Sequence, residues 1–339
     1  METNKRYINL SLFRIIAAFA IIQFHIFYIL YPNMVDGAYL LSKFLQGFMT
    51  LSGFLYSQRV IENKKEFYKK NFKKILIPAI ACATFILLWD VGYILITKTF
   101  DFTLVFTSCK PSDGGLLIQL GNYYYIFYLL FCYLITPFLQ FNNNLRKIII
   151  ISIISIEVIA SFITNGFPVL ITCYIVGYFI GKNRFDFYVN PKSGEGIETL
   201  IKWIFIGFLA YYFSRHPLII ATRNAFLDAH LSLMIFNVSS AIFGMSIFFI
   251  IIYILRGLNA YRSGKSFLIS DGLTFYIYLL NQAFMIGATN VSNYADAMEL
   301  KTLLVFLFTI FFATIIYVIN AIFLKKCSLK NNEQKLLCK

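Results

Sequence analysis

The sequence predicts an all-α integral membrane protein of about ten transmembrane helices with both termini in the cytoplasm. Of its 339 residues, 59% are hydrophobic and only 14% are charged, whereas soluble domains carry about 25% charged residues. Apolar runs of helical length recur from one end of the chain to the other, and about 20 apolar residues suffice to cross a bilayer as a helix. The lipid bilayer is therefore the expected environment, and no stretch resembles an additional soluble domain.

Short polar or basic segments separate the apolar runs and define the expected helix ends. Pro78 falls in the first turn of the third predicted helix, where its missing N–H costs little. The ten predicted helices form one transmembrane domain and cover residues 7–30, 39–60, 75–97, 122–141, 148–163, 167–181, 200–213, 231–255, 272–290 and 302–324.

The distribution of basic residues predicts the orientation. With the N-terminus inside, 23 of the 30 Lys and Arg residues lie on segments expected to be cytoplasmic, and six lie on the opposite side. Cytoplasmic loops carry the excess of Lys and Arg in membrane proteins. The sequence therefore favours cytoplasmic termini, with Arg14 in the cytoplasmic third of the first helix and His25 toward its outer end.

The charge and the cysteine content argue against two kinds of ligand, nucleic acid and a metal ion. The net charge of +14 would suggest nucleic acid in a soluble protein, but the predicted topology accounts for most of it, so no nucleic acid is expected. The six cysteines show neither metal-ligand spacing nor a disulfide framework, so no metal is expected.

The first apolar run contains two residues that hydrocarbon does not accommodate, Arg14 and His25. They are eleven positions apart, which is three helical turns plus about 20°, so both lie on one face about 16 Å apart along the axis. A cation inside the membrane costs at least about 2.5–3.5 kcal/mol unless it is paired or faces water. The spacing suggests a polar cavity along this face, with simple packing of His25 and snorkelling of Arg14 as the alternatives.

Two further features carry open alternatives. Glu157 interrupts the apolar fifth helix, and it is either a functional carboxylate, with Arg14 as a candidate partner, or part of a structural ion pair. A predicted outer loop contains charges that either bind an acidic sugar polymer or are simply solvated; these residues are Arg215, His216, Arg223 and His230.

The surroundings of Arg14 and His25 resemble the N-terminal signature of the acyltransferase-3 family, integral membrane acyltransferases with an Arg-x10-His motif in the first helix. Four further stretches are similar to family segments in the same order: Phe48–Leu55 with its Ser-Gly-Phe, Lys70–Pro78, Asn122–Phe127 and Ile175–Lys182. The resemblance covers nearly the whole chain, and five ordered matches are more specific than Arg-x10-His alone.

This resemblance implies transfer of an acyl group, most often acetyl, from acyl-coenzyme A to a hydroxyl of a cell-surface or extracytoplasmic carbohydrate. It implies O-acetylation of a polysaccharide at the bacterial inner (plasma) membrane by a multi-pass enzyme. His25 would be the general base, worth about 10²–10⁴-fold. Arg14 would hold the donor or stabilise the oxyanion. Direct transfer and an acyl-enzyme are both open.

The lysines Lys70, Lys73 and Lys74 have two interpretations. Lysine is a good point-charge partner for phosphate, so the group would bind the phosphates of acetyl-CoA. Alternatively, the segment marks the cytoplasmic side and contacts anionic lipid, at about 1 kcal/mol per residue.

Two positions depart from the family pattern. Tyr124 stands where many members have Trp, and Asn281 stands where a similar stretch often ends in His. Asparagine can position a hydroxyl but cannot act as a base at neutral pH. Together with Ser52 and Glu157, these residues are the expected substrate-binding or supporting positions.

A non-enzymatic transporter or polysaccharide exporter is the rival interpretation. Such a protein would use Arg14, Glu157 and His25 as a substrate or proton path. Transporters often contain repeated halves or paired broken helices, and the sequence shows neither.

Overall fold

The computed structural model describes residues 7–31, 33–97, 123–140, 144–163, 169–190, 196–215, 225–260, 265–286 and 290–337, and these ranges contain no strand. The α-helices are α1 (Ile8–Leu30), α2 (Val35–Ser42), α3 (Phe44–Tyr56), α4 (Lys64–Thr97), α5 (Tyr124–Leu139), α6 (Asn144–Ile163), α7 (Leu170–Val189), α8 (Ile197–Arg215), α9 (Ala225–Ile254), α10 (Lys265–Leu280) and α11 (Met298–Leu337). Three short 3₁₀ segments occupy Leu255–Ala260, Asn281–Phe284 and Ser292–Tyr294.

Each predicted helical range overlaps a helix of the structure, but several ends differ. The second predicted helix is two helices, α2 and α3, with Lys43 between them. Helix α4 begins at Lys64, so Pro78 lies inside it rather than in its first turn. Helix α10 gives way to a 3₁₀ segment at Asn281. Lysine and glutamate are good helix formers, which explains why helices continue into segments expected to be polar linkers.

Within the ranges that the structure describes, five helical stretches are long and apolar enough to cross a membrane. They are Ile8–Leu30, Lys64–Gly92, Ile197–Arg215, His230–Asn259 and Met298–Phe323. A shorter apolar helix covers Tyr124–Leu139. The chain is thus a helical multi-pass membrane protein, while ten spans and two cytoplasmic termini stay predictions.

The helices form two compact units. The first takes the described residues of Met1–Ile21, Asp36–Tyr68 and Tyr128–Asp271. The second takes those of Ile22–Val35, Lys69–Phe127 and Gly272–Lys339. Helices α1, α4 and α5 each contribute to both units.

In the first unit, glycines bring α3 and α7 into backbone contact. A Cβ on Gly53 would overlap the carbonyl oxygen of Tyr174, and a Cβ on Gly177 would overlap that of Thr50. A Cβ on Gly181 would lie 2.8 Å from the carbonyl oxygen of Phe54. The two family-like stretches Phe48–Leu55 and Ile175–Lys182 therefore pack against each other, and their glycines are the reason that they can.

An aromatic core fills the rest of the first unit. Phe54 stacks on Phe185 at 4.9 Å between ring centroids, and Trp203 stacks on Phe249 at 4.5 Å. The core contains a polar clamp at Asn9, whose side-chain amide donates to the carbonyl oxygens of Tyr188 and Ile252, both at 2.9 Å. Since a buried amide without partners is costly, these bonds fix the start of α1 against α7 and α9.

The second unit has its own aromatic core on α4, α11 and the 3₁₀ segment after α10. The ring of Phe312 stacks on Phe284 at 5.5 Å and meets Trp89 edge-on at 5.3 Å. A buried hydrogen bond of 2.8 Å from the Asn320 amide to the Tyr276 hydroxyl joins α11 to α10.

Candidate active site

The unbroken helix α1 carries both Arg14 and His25. Both side chains are half-buried, and the imidazole of His25 lies against the ring of Phe24 at 4.7 Å between centroids. Helix α1 (Ile8–Leu30) carries Arg14 in the part that belongs to the first unit and His25 in the part that belongs to the second.

In the first unit, the guanidinium of Arg59 lies over Tyr56 at the end of α3, 4.5 Å from the centre of its ring. Tyr56 is only 4% exposed and packs against Tyr133 at 4.7 Å. Positive potential at a partly dry location suits an anionic group.

Tyr56 and Arg59 were not among the predicted site residues. They are an aromatic residue and a cation three positions apart at the end of an apolar run. Aromatic and basic residues are also common at the membrane–water interface. The pattern therefore gave no reason to separate them from ordinary interfacial residues.

Glu157 of α6 is buried, with 2% of its surface exposed. Its carboxylate accepts hydrogen bonds from the backbone N–H groups of Ile171 and Thr172, both at 2.7 Å, and from the Thr172 hydroxyl at 2.6 Å. A helix N-terminus attracts negative charge through its free N–H groups and its dipole. Glu157 therefore caps α7 from a neighbouring helix, and within the described residues it forms no ion pair with Arg14.

Ser52 also turns its polar group toward the backbone. Its hydroxyl donates to the carbonyl oxygen of Phe48 at 3.0 Å, one turn earlier in α3. The side chain is half-buried. A role for Ser52 in substrate binding stays a prediction.

In the second unit, Lys70, Lys73 and Lys74 are exposed on α4. Residues three and four positions apart lie on one face of a helix, so these ammonium groups form a continuous basic patch. Their neighbour Asn71 is buried, at 1% exposed. Exposed lysines on one face can meet several phosphates at once, which fits the binding of a polyanionic donor.

The other two family-related positions of the second unit differ in burial. Tyr124 is 42% exposed, whereas its neighbour Tyr125 is buried and packs against Tyr278 at 5.2 Å. Asn281 is fully buried, and its amide donates to the carbonyl oxygen of Tyr278 at 2.9 Å. The residue at the family's His position thus has a structural hydrogen bond at the end of α10.

The charged residues of the predicted outer loop are engaged with the fold where they are described. The guanidinium of Arg215 pairs with Asp36, and Nδ1 of His230 lies 2.6 Å from the carbonyl oxygen of Phe162. His216 and Arg223 lie outside the described residues.

These features define a polytopic helical membrane protein with an arginine and a histidine inside its first span. The family model of the acyltransferase domain, acyltransferase-3, matches residues 7–321. The chain therefore belongs to this family of acyltransferases. No curated protein and no solved structure gives a significant match.

Proposed function

We propose that the protein transfers an acetyl group from acetyl-CoA to a hydroxyl of a cell-surface or extracytoplasmic carbohydrate, in the bacterial inner (plasma) membrane. Membership of the acyltransferase family over residues 7–321 carries the general acyl-transfer activity. The presence of Arg14 and His25 on one apolar helix, α1, is the observation that supports the mechanism. We favour acyl transfer over the alternative, a membrane transporter or polysaccharide exporter. Family membership supports acyl transfer, and the proposed mechanism gives Arg14 and His25 a role in it, so a transport function is not needed to explain them.

In the proposed mechanism, the neutral imidazole of His25 accepts the proton of the acceptor hydroxyl. The hydroxyl oxygen then forms a bond to the thioester carbonyl carbon, and the carbonyl oxygen becomes an oxyanion. The C–S bond breaks as the oxyanion collapses, and the thiolate of coenzyme A takes the proton from the imidazolium. Such general-base assistance is worth about 10²–10⁴-fold.

Arg14 would supply positive charge to the donor or to the developing oxyanion. Removal of one such donor costs about 10²–10³-fold in turnover. The half-buried position of Arg14 supports this assignment, because a fixed cation acts most strongly where little water screens it.

Lys70, Lys73 and Lys74 would capture the phosphates of acetyl-CoA from the cytoplasm. Their exposure on one face of α4 supports this role. The expected orientation, in which basic segments face the cytoplasm, places His25 toward the outer end of α1, which suits an acceptor outside the cell.

The test is acetyl-CoA turnover by the purified protein in lipid, with a panel of surface polysaccharides as acceptors. We expect His25→Ala to bind coenzyme A as the wild type does and to lose at least about 100-fold in turnover. The matched control is His230→Ala, which removes a half-buried histidine that contacts a backbone carbonyl. Turnover that survives in His25→Ala would remove the histidine from catalysis. A folded wild type that binds no coenzyme A would instead favour the transporter.

A further inference from the structure

Lys43, between α2 and α3 of the first unit, is a buried lysine. Only 4% of its surface is exposed. Its ammonium lies 4.0 Å from the ring centre of Tyr39 and 5.2 Å from that of Phe236. Among the residues that the structure describes, no carboxylate lies within 4.0 Å of this ammonium.

The two aromatic rings do not compensate for the burial of this charge. Removing an ammonium from water is unfavourable even after the protein relaxes. A desolvated cation–π contact offsets only part of that loss, and the more distant ring offsets less. A charged Lys43 therefore lacks a counter-anion, which a bound ligand can supply.

One face of α9 lies against this lysine. A Cβ on Gly244 would lie 2.6 Å from the carbonyl oxygen of Lys43, so the helix touches the chain at that point. Ser240, one turn earlier on the same face, has its hydroxyl 3.4 Å from that of Tyr39. Asn237 is a further three residues back, and positions separated by three and seven share a helix face.

Asn237 adds an unused donor to this region. The residue is 7% exposed, and its side-chain Nδ2 is buried without a hydrogen-bond partner. A buried amide donor left without an acceptor destabilises the fold. Asn237 therefore has a buried donor without a partner. It lies on an element that contacts Lys43, which has no carboxylate within 4.0 Å among the described residues.

The surrounding contacts hold the lysine's aromatic neighbour in place. The Tyr39 hydroxyl donates to Oγ of Ser214, which donates to the carbonyl oxygen of Tyr211 at 2.7 Å. The guanidinium of Arg215 also lies over the Tyr39 ring, at 5.2 Å, but Asp36 neutralises it. The uncompensated positive charge of this cluster therefore belongs to Lys43.

We propose that Lys43 and Asn237 bind an oxyanion of an acidic acceptor glycan, either a carboxylate or a phosphodiester. The inference rests on the carbohydrate acceptor of the proposed function. The charge distribution that predicts the topology also assigns Lys43 to the outer side, where such a glycan would arrive. An ammonium and an amide N–H₂ both donate, and an oxyanion only accepts, so the two unmet requirements are satisfied by the same ligand.

The experiment measures direct binding of labelled oligosaccharides to the full chain in nanodiscs of neutral lipid, without acetyl-CoA. Three ligands are compared: a uronic-acid oligosaccharide, its carboxyl-reduced neutral form and a glycerol-phosphate-linked oligosaccharide. We expect Lys43→Met to weaken binding of the preferred acidic ligand about 30-fold or more. Lys43→Arg, which keeps the charge, should restore most of the affinity. Lys202→Met, which removes an exposed lysine paired with Glu198, is the matched control and should bind as the wild type does.

The outcomes separate this inference from the acyl-transfer proposal. Preference for the uronic acid or for the phosphodiester identifies which oxyanion the site takes. Equal binding of acidic and neutral oligosaccharides, or unchanged binding in Lys43→Met, overturns the inference even if acetyl transfer is observed. In a second set of nanodiscs that contain anionic lipid, displacement of the oligosaccharide would overturn the glycan assignment and reassign the site to a lipid headgroup. Loss of acidic-ligand binding in Lys43→Met would support the site even if no acetyl transfer occurs.

Discussion

The contact between α3 and α7 makes a strong prediction about one glycine. Gly177 faces the backbone of Thr50, whose Cα lies 3.0 Å from the position that a Cβ would take and whose carbonyl oxygen lies closer still. Gly177→Ala would place a methyl group there. All three nearest atoms belong to the backbone of α3, so no side chain can rotate away to make room.

The expected loss of stability follows from two opposing effects. An extra methyl in a well-packed interior costs about 1–3 kcal/mol. Because the atoms that the methyl meets belong to the backbone, the cost at this site should lie at the upper end of that range or above it. Alanine stabilises a helix relative to glycine by up to about 1 kcal/mol. We therefore expect Gly177→Ala to lower the free energy of unfolding by about 2 kcal/mol or more.

The control is Gly92→Ala on α4, where nothing lies within 4 Å of the added Cβ. It should be neutral or stabilising by up to about 1 kcal/mol. Unfolding of both variants in mixed micelles can be followed by the loss of helical circular dichroism, which reports on the first unit (Gly177) and on the second unit (Gly92) alike.

Equal stability of Gly177→Ala and Gly92→Ala would refute this account of the interface. It would mean that α3 and α7 separate at no cost, and that glycine at position 177 has no packing role.

Two further substitutions test the hydrogen bonds at buried polar residues. Glu157→Gln replaces a carboxylate acceptor at the start of α7 with an amide, whose N–H₂ group would face backbone N–H donors. The free energy of unfolding should therefore fall by about 1.5–3 kcal/mol. The control is the exposed Glu198→Gln, which should change the free energy of unfolding by no more than about 0.5 kcal/mol. Asn281→Asp exchanges the donor that faces the carbonyl oxygen of Tyr278 for an acceptor. It should therefore destabilise more than Asn281→Ala, and thermal unfolding in which the alanine variant is the weaker would contradict the assigned hydrogen bond.

The apolar runs predicted where helices form, since the requirement for about 20 apolar residues applies to each span separately. They did not predict the break at Lys43. Neither Pro nor Gly lies next to Lys43 to signal a break, and the α2–α3 junction is in contact with Gly244, about 200 residues away in sequence. A local pattern contains no information about such a contact.

The site was predictable to the extent that it lies on one helix. The spacing of Arg14 and His25 defines their relation because α1 is continuous. The environments of Glu157 and Asn281 were not predictable in the same way. Glu157 bonds to residues 14 and 15 positions further along the chain, and no spacing rule specifies which helix end a buried carboxylate will meet.

A buried charge in this protein is best judged by whether the fold completes its hydrogen bonds. Helix α7 begins after Val169, whose side chain cannot cap the helix, so its free N–H groups need an acceptor from elsewhere. Glu157 supplies that acceptor, and its burial is then explained without any substrate. Asn237 meets the opposite condition, because its Nδ2 has no acceptor among the described residues. Lys43 has no carboxylate within 4.0 Å among the same residues. A buried polar group is therefore a stronger functional candidate when the fold leaves it incomplete. By this criterion Lys43, which the sequence placed in the second predicted helix, is a stronger candidate than Glu157.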